Sequence, residues 1–141
     1  MPTGRKVQAV IFRDTGRREF LLFHYVPAKG GYWENMTCNV EEGETDTDAL
    51  MRELAEEASL GAGCVVYGPR LLFTYDYEKN GARFTESVYA VGVGPGCVPD
   101  ISRNPEREHT ECRWCSVEEA FSLLRWPLHR DAVRRAEVLG R

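Results

Sequence analysis

Strand-like runs on either side of one amphipathic helix, followed by a helical C-terminus, predict an α+β domain. More narrowly they predict an α/β/α sandwich, a mixed β-sheet between helices. Three observations carry this. The chain has 141 residues, the size of one domain, and 43% of them are apolar, enough for one sizeable core. Its β-rich runs are short and punctuated by Gly, Pro, Asn and Asp. Its one long 3.6-residue periodicity lies mid-chain, between two groups of strands. No repeat or linker divides residues 1–141, which are read as a single domain.

The elements follow in order. Residues 6–13 (KVQAVIFR) and 19–25 (EFLLFHY) read as strands joined by an Asp14-Thr15-Gly16 turn, a hairpin. Residues 27–31 form a Gly/Pro loop, and 32–40 are extended. Glu41-Glu42-Gly43-Glu44 is an acidic turn, after which Thr45 can cap a helix over 46–58, with Asp46 and Asp48 favourable in its first turn. Gly61 and Gly63 are expected to end that helix; if Ser59 ends it instead, it takes left-handed angles. Strands are predicted near 70–77 and 83–93 around Lys79-Asn80-Gly81, then a loop over 92–107. Residues 109–115 form a last strand, Ser116 to Glu119 a capping box, and Pro127 opens a helix ending near residue 139.

The charge balance narrows function. A net charge of −4 lacks the basic surface that nonspecific binding of a nucleic-acid polymer requires. No apolar run reaches the length of a membrane span, and the N-terminus has no signal-peptide core, so a cytoplasmic protein is expected. Cys38, Cys64, Cys97, Cys112 and Cys115 are odd in number and irregularly spaced, which argues against a disulfide framework. Cys112 and Cys115 match C-x-x-C, but on a strand residues three apart face opposite ways, so both read as small buried hydrophobes.

Glu53, Glu56 and Glu57 stand at i, i+3 and i+4, within one arc of the 46–58 helix. Leu50, Leu54 and Ala58 occupy the neighbouring arc, so the acids border the buried stripe. Like charges so placed repel, increasingly at the edge of a core. A divalent cation would relieve that repulsion, and Mg²⁺ favours carboxylate, water and phosphate oxygens. The alternative is a solvated acidic helix face.

The surrounding residues go further. Glu44 to Leu60 (ETDTDALMRELAEEASL) resembles the Nudix box, G-x5-E-x7-R-E-U-x-E-E-x-G-U with U aliphatic. Glu44, Arg52, Glu53, Leu54, Glu56, Glu57 and Leu60 match at the required spacing. Cys38 and Ser59 replace the two glycines. The resemblance implies a Nudix fold, hydrolysis of a phosphoanhydride in a nucleoside-diphosphate-containing substrate, and Mg²⁺, with Mn²⁺ as a substitute. It implies metal ligation by Glu53 and Glu57, with Glu56 a further ligand or the water-activating base. Arg52 is implied as partner of these acids through Glu44, and Cys38 as a ligand through its carbonyl. Glu108-His109 with Arg113-Trp114 resembles an E-H-x-x-x-[KR]-W segment of several Nudix subfamilies, making Glu108 a further candidate metal ligand; His109 reads as a loop hydrogen-bonder.

Substrate cues are weaker. Thr85-Glu86-Ser87, Tyr32-Trp33 and Trp126 to Arg130 resemble dihydroneopterin-triphosphate and (deoxy)nucleoside-triphosphate pyrophosphohydrolases. Tyr77 lies where many dinucleoside-polyphosphate hydrolases carry a tyrosine. Trp33 and Tyr77 are candidate stacking platforms, and Lys29, Arg70 and Arg83 candidate phosphate contacts. The expected partner is a small nucleotide-type molecule, with no nucleic-acid polymer and no membrane; a homodimer stays open. A nucleotide-binding module without turnover is the other class of function, though such modules typically lose box acids.

Overall fold

The structure is a computed structural model describing residues 3–104, 106 and 108–140. The elements run β1 (Thr3–Asp14), β2 (Arg18–Tyr25), β3 (Trp33–Glu34), β4 (Met36–Asn39), α1 (Asp46–Ala58), β5 (Val65–Lys79), β6 (Ala82–Val93), β7 (His109–Cys115), α2 (Val117–Leu123) and α3 (Pro127–Glu137). The sheet is mixed. β1 pairs in parallel with β6, from Thr3↔Arg83 to Phe12↔Gly92, and the other pairings are antiparallel.

Period-two alternation explains the layers. On β1 and β2, Val7, Ala9, Ile11, Leu21 and Phe23 pack with Leu50, Leu54 and Ala58 of α1. Val10, Phe12, Phe20 and Leu22 pack on the opposite face with Ala120 of α2, with Leu124 just after it, and with Ala132, Val133 and Ala136 of α3. The sandwich expected from the order of elements is thus formed. Cys112 packs against the α1 side and Cys115 in the α2–α3 side, the opposed facing that strand periodicity predicts.

Boundaries differ where packing extends or ends an element. β5 and β6 run beyond the predicted 70–77 and 83–93, zipped around an Asn80-Gly81 turn with both residues at positive φ. α1 spans the predicted 46–58, but Ser59 and not Gly61 or Gly63 caps it. Ser59 adopts φ 57°, ψ 31°, and its backbone N–H donates to the Ala55 and Leu54 carbonyls. Its hydroxyl donates to the Asp100 carbonyl at 3.0 Å, which helps hold this left-handed cap.

The cysteine expectation also needs correction. Cys64 and Cys97 form a disulfide with Cα atoms 6.0 Å apart. Pairing of Val65 with Val93 brings their flanking segments together, a proximity that spacing along the chain does not reveal. Among the described residues no helix is long and apolar enough to cross a membrane.

Candidate metal and nucleotide site

Local rules place the acids. Thr45 caps α1 reciprocally with Asp48, each accepting a hydrogen bond from the other's backbone N–H at 3.1 Å. From this start, Leu50, Leu54 and Glu57 fall on one stripe at i, i+4 and i+7. Glu57 therefore lies in the buried face itself, 4% exposed, more deeply than a position bordering the stripe. Glu53 sits beside it, and Glu56, its side chain 55% exposed, faces outward.

Arg52 organises these acids. Its Nε and Nη2 donate to the two carboxylate oxygens of Glu44 at 2.8 and 3.0 Å. Nη1 donates to Glu53 at 2.8 Å, and Nη2 also reaches the Asn39 carbonyl at 3.2 Å. The guanidinium holds the Glu44 carboxyl down at about 2, and Glu44 in turn holds Arg52 charged. Burial pushes Glu53 the other way, up to about 8, reinforced by a hydrogen bond with Glu57 and by its negative charge.

The loop before β7 completes the cluster. The Glu108 carbonyl accepts from Val26 N–H at 2.9 Å, and His109 pairs with Tyr25 across the sheet. Carboxylate oxygens of Glu57 and Glu108 and a ring nitrogen of His109 all lie within 4.8 Å of one another. Burial and then the charge of Glu57 raise the Glu108 carboxyl. His109 Nδ1 is 2.9 Å from Glu57 Oε2. The separation suits a hydrogen bond but the ring N–H direction does not, and both atoms are buried without a partner. The ring is held by Phe23 and by the edge of Tyr25, centroids 5.1 and 4.4 Å away. His109 belongs to this cluster and is no mere loop hydrogen-bonder; the adjacency of Glu108 and His109 was its only signal in the sequence.

Arg52, Glu53, Glu56, Glu57 and Glu108 line a cavity of about 380 Å³ together with Tyr25, Thr37, Cys38, Lys6, Lys29 and Lys79. Oxygen donors converging with an orphaned buried carboxylate oxygen fit a divalent cation. Glu53, Glu57 and Glu108 would hold it, and Lys6, Lys29 and Lys79 bring positive charge into the same cavity. Cys38 lies in a regular strand without positive φ, so cysteine in place of glycine is not strained there. Its thiol points at the Ala49 carbonyl, 3.8 Å away. Burial, then the charge of Glu53, raise the thiol well above its ordinary range, so it stays neutral and only the backbone carbonyl suits a metal.

A second cavity of about 440 Å³ shares Lys6, Glu34, Thr37 and Lys79 with the first. Tyr75, Tyr77, Trp126 and His129 line it. Tyr77 is backed by Phe84 at 5.4 Å. Glu86, buried, accepts from Gln8 at 3.0 Å and from the Tyr75 and Tyr77 hydroxyls, which fixes both rings. Three predicted contacts, Trp33, Arg70 and Arg83, are placed elsewhere and line neither cavity. Trp33 packs against His24 at 4.9 Å and under the Arg113 guanidinium at 4.8 Å. Arg83 pairs with Asp76 at 3.1 Å near the tip of the β5–β6 hairpin. Arg70 likewise donates to the Tyr67 hydroxyl at 2.9 Å. Lys6, Lys79, Glu34 and Trp126 line the cavity instead. Only the sheet and the α2–α3 corner bring them together, and no local motif in the sequence joins them.

Comparison with known proteins agrees with this fold. A Myxococcus xanthus protein named octanoyltransferase is 29% identical over 136 residues, 96% of this chain but 37% of that protein. The chain thus spans little more than a third of the length of this curated relative. Among solved structures, a C. elegans Ap4A hydrolase binary complex superposes with TM-score 0.77 at 22% identity, covering 94% of this chain and 93% of that one. The E. coli dihydroneopterin triphosphate pyrophosphohydrolase gives 0.74 at 20%, covering 98% and 99%. The NUDIX domain of Shewanella oneidensis NrtR, complexed with ADP ribose, gives 0.76 at 15%, covering 96% and 87%. At these identities the likeness establishes the fold. Residues 2–136 match the NUDIX domain model, and with the box acids intact on α1 the chain belongs to the NUDIX family, the hydrolase family its carboxylate helix resembles.

Proposed function

We propose that the chain is a divalent-metal-dependent hydrolase, using Mg²⁺ with Mn²⁺ as a substitute, that splits a phosphoanhydride bond in a nucleoside-diphosphate-linked substrate. The observation that carries this is the convergence of Glu57 and Glu108 with His109, Glu57 Oε2 being buried and unsatisfied; Glu53, Glu57 and Glu108 line one cavity with Lys6, Lys29 and Lys79. When bound, the cation polarises a phosphate and lowers the pKa of a coordinated water. Arg52 keeps Glu44 and Glu53 in register. Glu56, exposed beside Arg52 at 3.4 Å, is placed to accept a proton from attacking water. The lysines bind phosphate oxygens and orient the chain of phosphates for in-line attack.

The favoured substrate is a nucleoside or pterin triphosphate, cut between its α and β phosphates to release pyrophosphate. Tyr75, Tyr77 and Trp126 surround one cavity rather than two, which suits a single flat ring. A dinucleoside polyphosphate is the second reading, favoured by Tyr77 and by the likeness to the C. elegans Ap4A hydrolase fold. A binding module that retains nucleotide without turnover is the third.

The deciding experiment compares kcat/KM for dATP, dihydroneopterin triphosphate, diadenosine tetraphosphate and ADP-ribose, with Mg²⁺ and with chelator. Pyrophosphate release from a triphosphate in Mg²⁺ alone supports the favoured reading. A preference of about tenfold or more for diadenosine tetraphosphate, with ATP among the products, selects the second. Binding without turnover of any substrate selects the third, and full activity in chelator rejects the metal mechanism.

A further inference from the structure

We propose that the cavity between Tyr75, Tyr77 and Trp126 selects amino-substituted nitrogen heterocycles, with Glu34 Oε2 accepting from the amino N–H and His129 Nε2 donating to an adjacent ring acceptor. This rests on the reading above that the adjoining cavity takes the phosphates.

His129 is 6% exposed and lines the cavity. Its backbone N–H donates to the Trp126 carbonyl at 3.0 Å. Its carbonyl accepts from Asn35 Nδ2 at 3.2 Å. Its Nδ1 lies 3.1 Å from the Asn35 backbone N–H. A backbone N–H can only donate, so Nδ1 must be the acceptor and the ring proton must sit on Nε2. Burial supports the neutral ring by depressing its pKa to about 4. Nε2–H is therefore the one polar group of His129 left unused among the described residues, a donor whose tautomer the fold has set.

Glu34 supplies the opposite polarity. Its Oε1 accepts from Trp126 Nε1 at 3.0 Å, which anchors the indole at the cavity wall. Its Oε2 makes no hydrogen bond among the described residues. Glu86, by contrast, is engaged with Gln8, Tyr75 and Tyr77 and acts as a positioning residue for the aromatic rings. A ring seated between the aromatic walls thus meets one free acceptor and one free donor. A purine with an amino group, or a 2-amino-oxo ring, offers the matching edge; an unsubstituted purine offers acceptors only. A site built to hydrogen-bond a donor rejects the analogue lacking it, because its own polar group is then left unpaired.

The test measures binding, so it stays readable whether or not hydrolysis is found. Dissociation constants are taken by calorimetry in Mg²⁺ for adenosine and guanosine monophosphates, unsubstituted purine riboside monophosphate, the 1-deaza and 7-deaza adenosine analogues, and inorganic pyrophosphate. At least one aminated ring should bind about tenfold tighter than the unsubstituted purine, and one deaza analogue should lose a similar factor. In Glu34→Gln the amide carbonyl can still accept from Trp126 while its NH₂ faces the ring donor. The preference for aminated rings, taken as the ratio of their affinity to that of the unsubstituted purine, should then vanish or invert, with Tm close to wild type; Glu34 also borders Lys6 and Lys79, and a change in phosphate affinity cancels in that ratio. Equal affinity for aminated and unsubstituted rings in the wild-type protein overturns the proposal, as does a preference that survives Glu34→Gln. Failure of every substrate to turn over, with ring selectivity intact, would count against the hydrolase reading alone.

Discussion

Arg52 grips Glu44 through two parallel hydrogen bonds, Nε to Oε2 at 2.8 Å and Nη2 to Oε1 at 3.0 Å, and uses its remaining nitrogen on Glu53. One planar fork thereby ties the acidic turn before α1 to the first acid of the site. A lysine carries the same charge but cannot reproduce the fork. Arg52→Lys is expected to lower kcat/KM about 100-fold or more while destabilising the fold by only ~1–2 kcal/mol, since the pairs are partly exposed. Steady-state kinetics beside a denaturant melt would check this; near wild-type turnover would show that the fork is dispensable.

Glu57→Gln and Glu56→Gln should both remove most hydrolysis but differ in stability. Glu57 is buried with an unsatisfied oxygen, so the neutral amide is expected to stabilise the metal-free protein by ~1 kcal/mol. Glu56 is half-exposed and paired with Arg52, and its change should stay within about 0.5 kcal/mol. Thermal melts in chelator, combined with a fixed-substrate assay, separate the two. Wild-type turnover in both variants would reject the site.

Stability of the metal-free protein should fall as pH rises. Burial, then the hydrogen bond and charge of Glu57, lift the Glu53 carboxyl from its ordinary 4.5 to about 8. Because the folded value lies above the unfolded one, the stabilising contribution of protonated Glu53 is complete below about 4.5. It is lost as pH rises through about 8. A cation opposes that loss by favouring the ionised acids, so the Tm increment from Mg²⁺ should grow between about pH 5 and pH 9. Glu53→Gln should flatten both dependences. A Mg²⁺ increment independent of pH would rule out Glu53 as the acid concerned.

Ser59 combines a cost and a gain. Its left-handed backbone is unfavourable by ~1 kcal/mol for a residue with Cβ, and its hydroxyl bond to Asp100 returns about as much. Ser59→Gly removes both and should be nearly neutral. Ser59→Ala keeps the strain and loses the bond, so it should be the worse of the two by ~1 kcal/mol. Equal melts for the two variants would refute this division.

Thiol titration of the denatured, unreduced protein should find three free cysteines, Cys38, Cys112 and Cys115, of the five in the chain. Five reactive thiols would show that Cys64 and Cys97 are not joined.

The sequence by itself determined what is local. The Thr45 cap, the bounds of α1, the layers, the Asn80-Gly81 turn and the Glu53–Glu57 arc all follow from periodicity and capping, which act within a few residues. The seven matched box residues sit within that local reach, and so the family resemblance was legible there. Tertiary structure alone decided the rest. Parallel pairing of β1 with β6, and the packing of α3 on the sheet, bring Lys6, Glu34, Glu86, Trp126 and His129 around one cavity. Pairing of β7 with β2 carries His109 to Glu57, and the β5–β6 register carries Cys64 to Cys97. Trp33 looked like a stacking platform because a tryptophan's identity is visible in sequence and its neighbours are not; His24 and Arg113 occupy its faces. Periodicity tells which side of an element is buried, whereas the partner across the core is chosen by long-range pairing that no window of sequence contains.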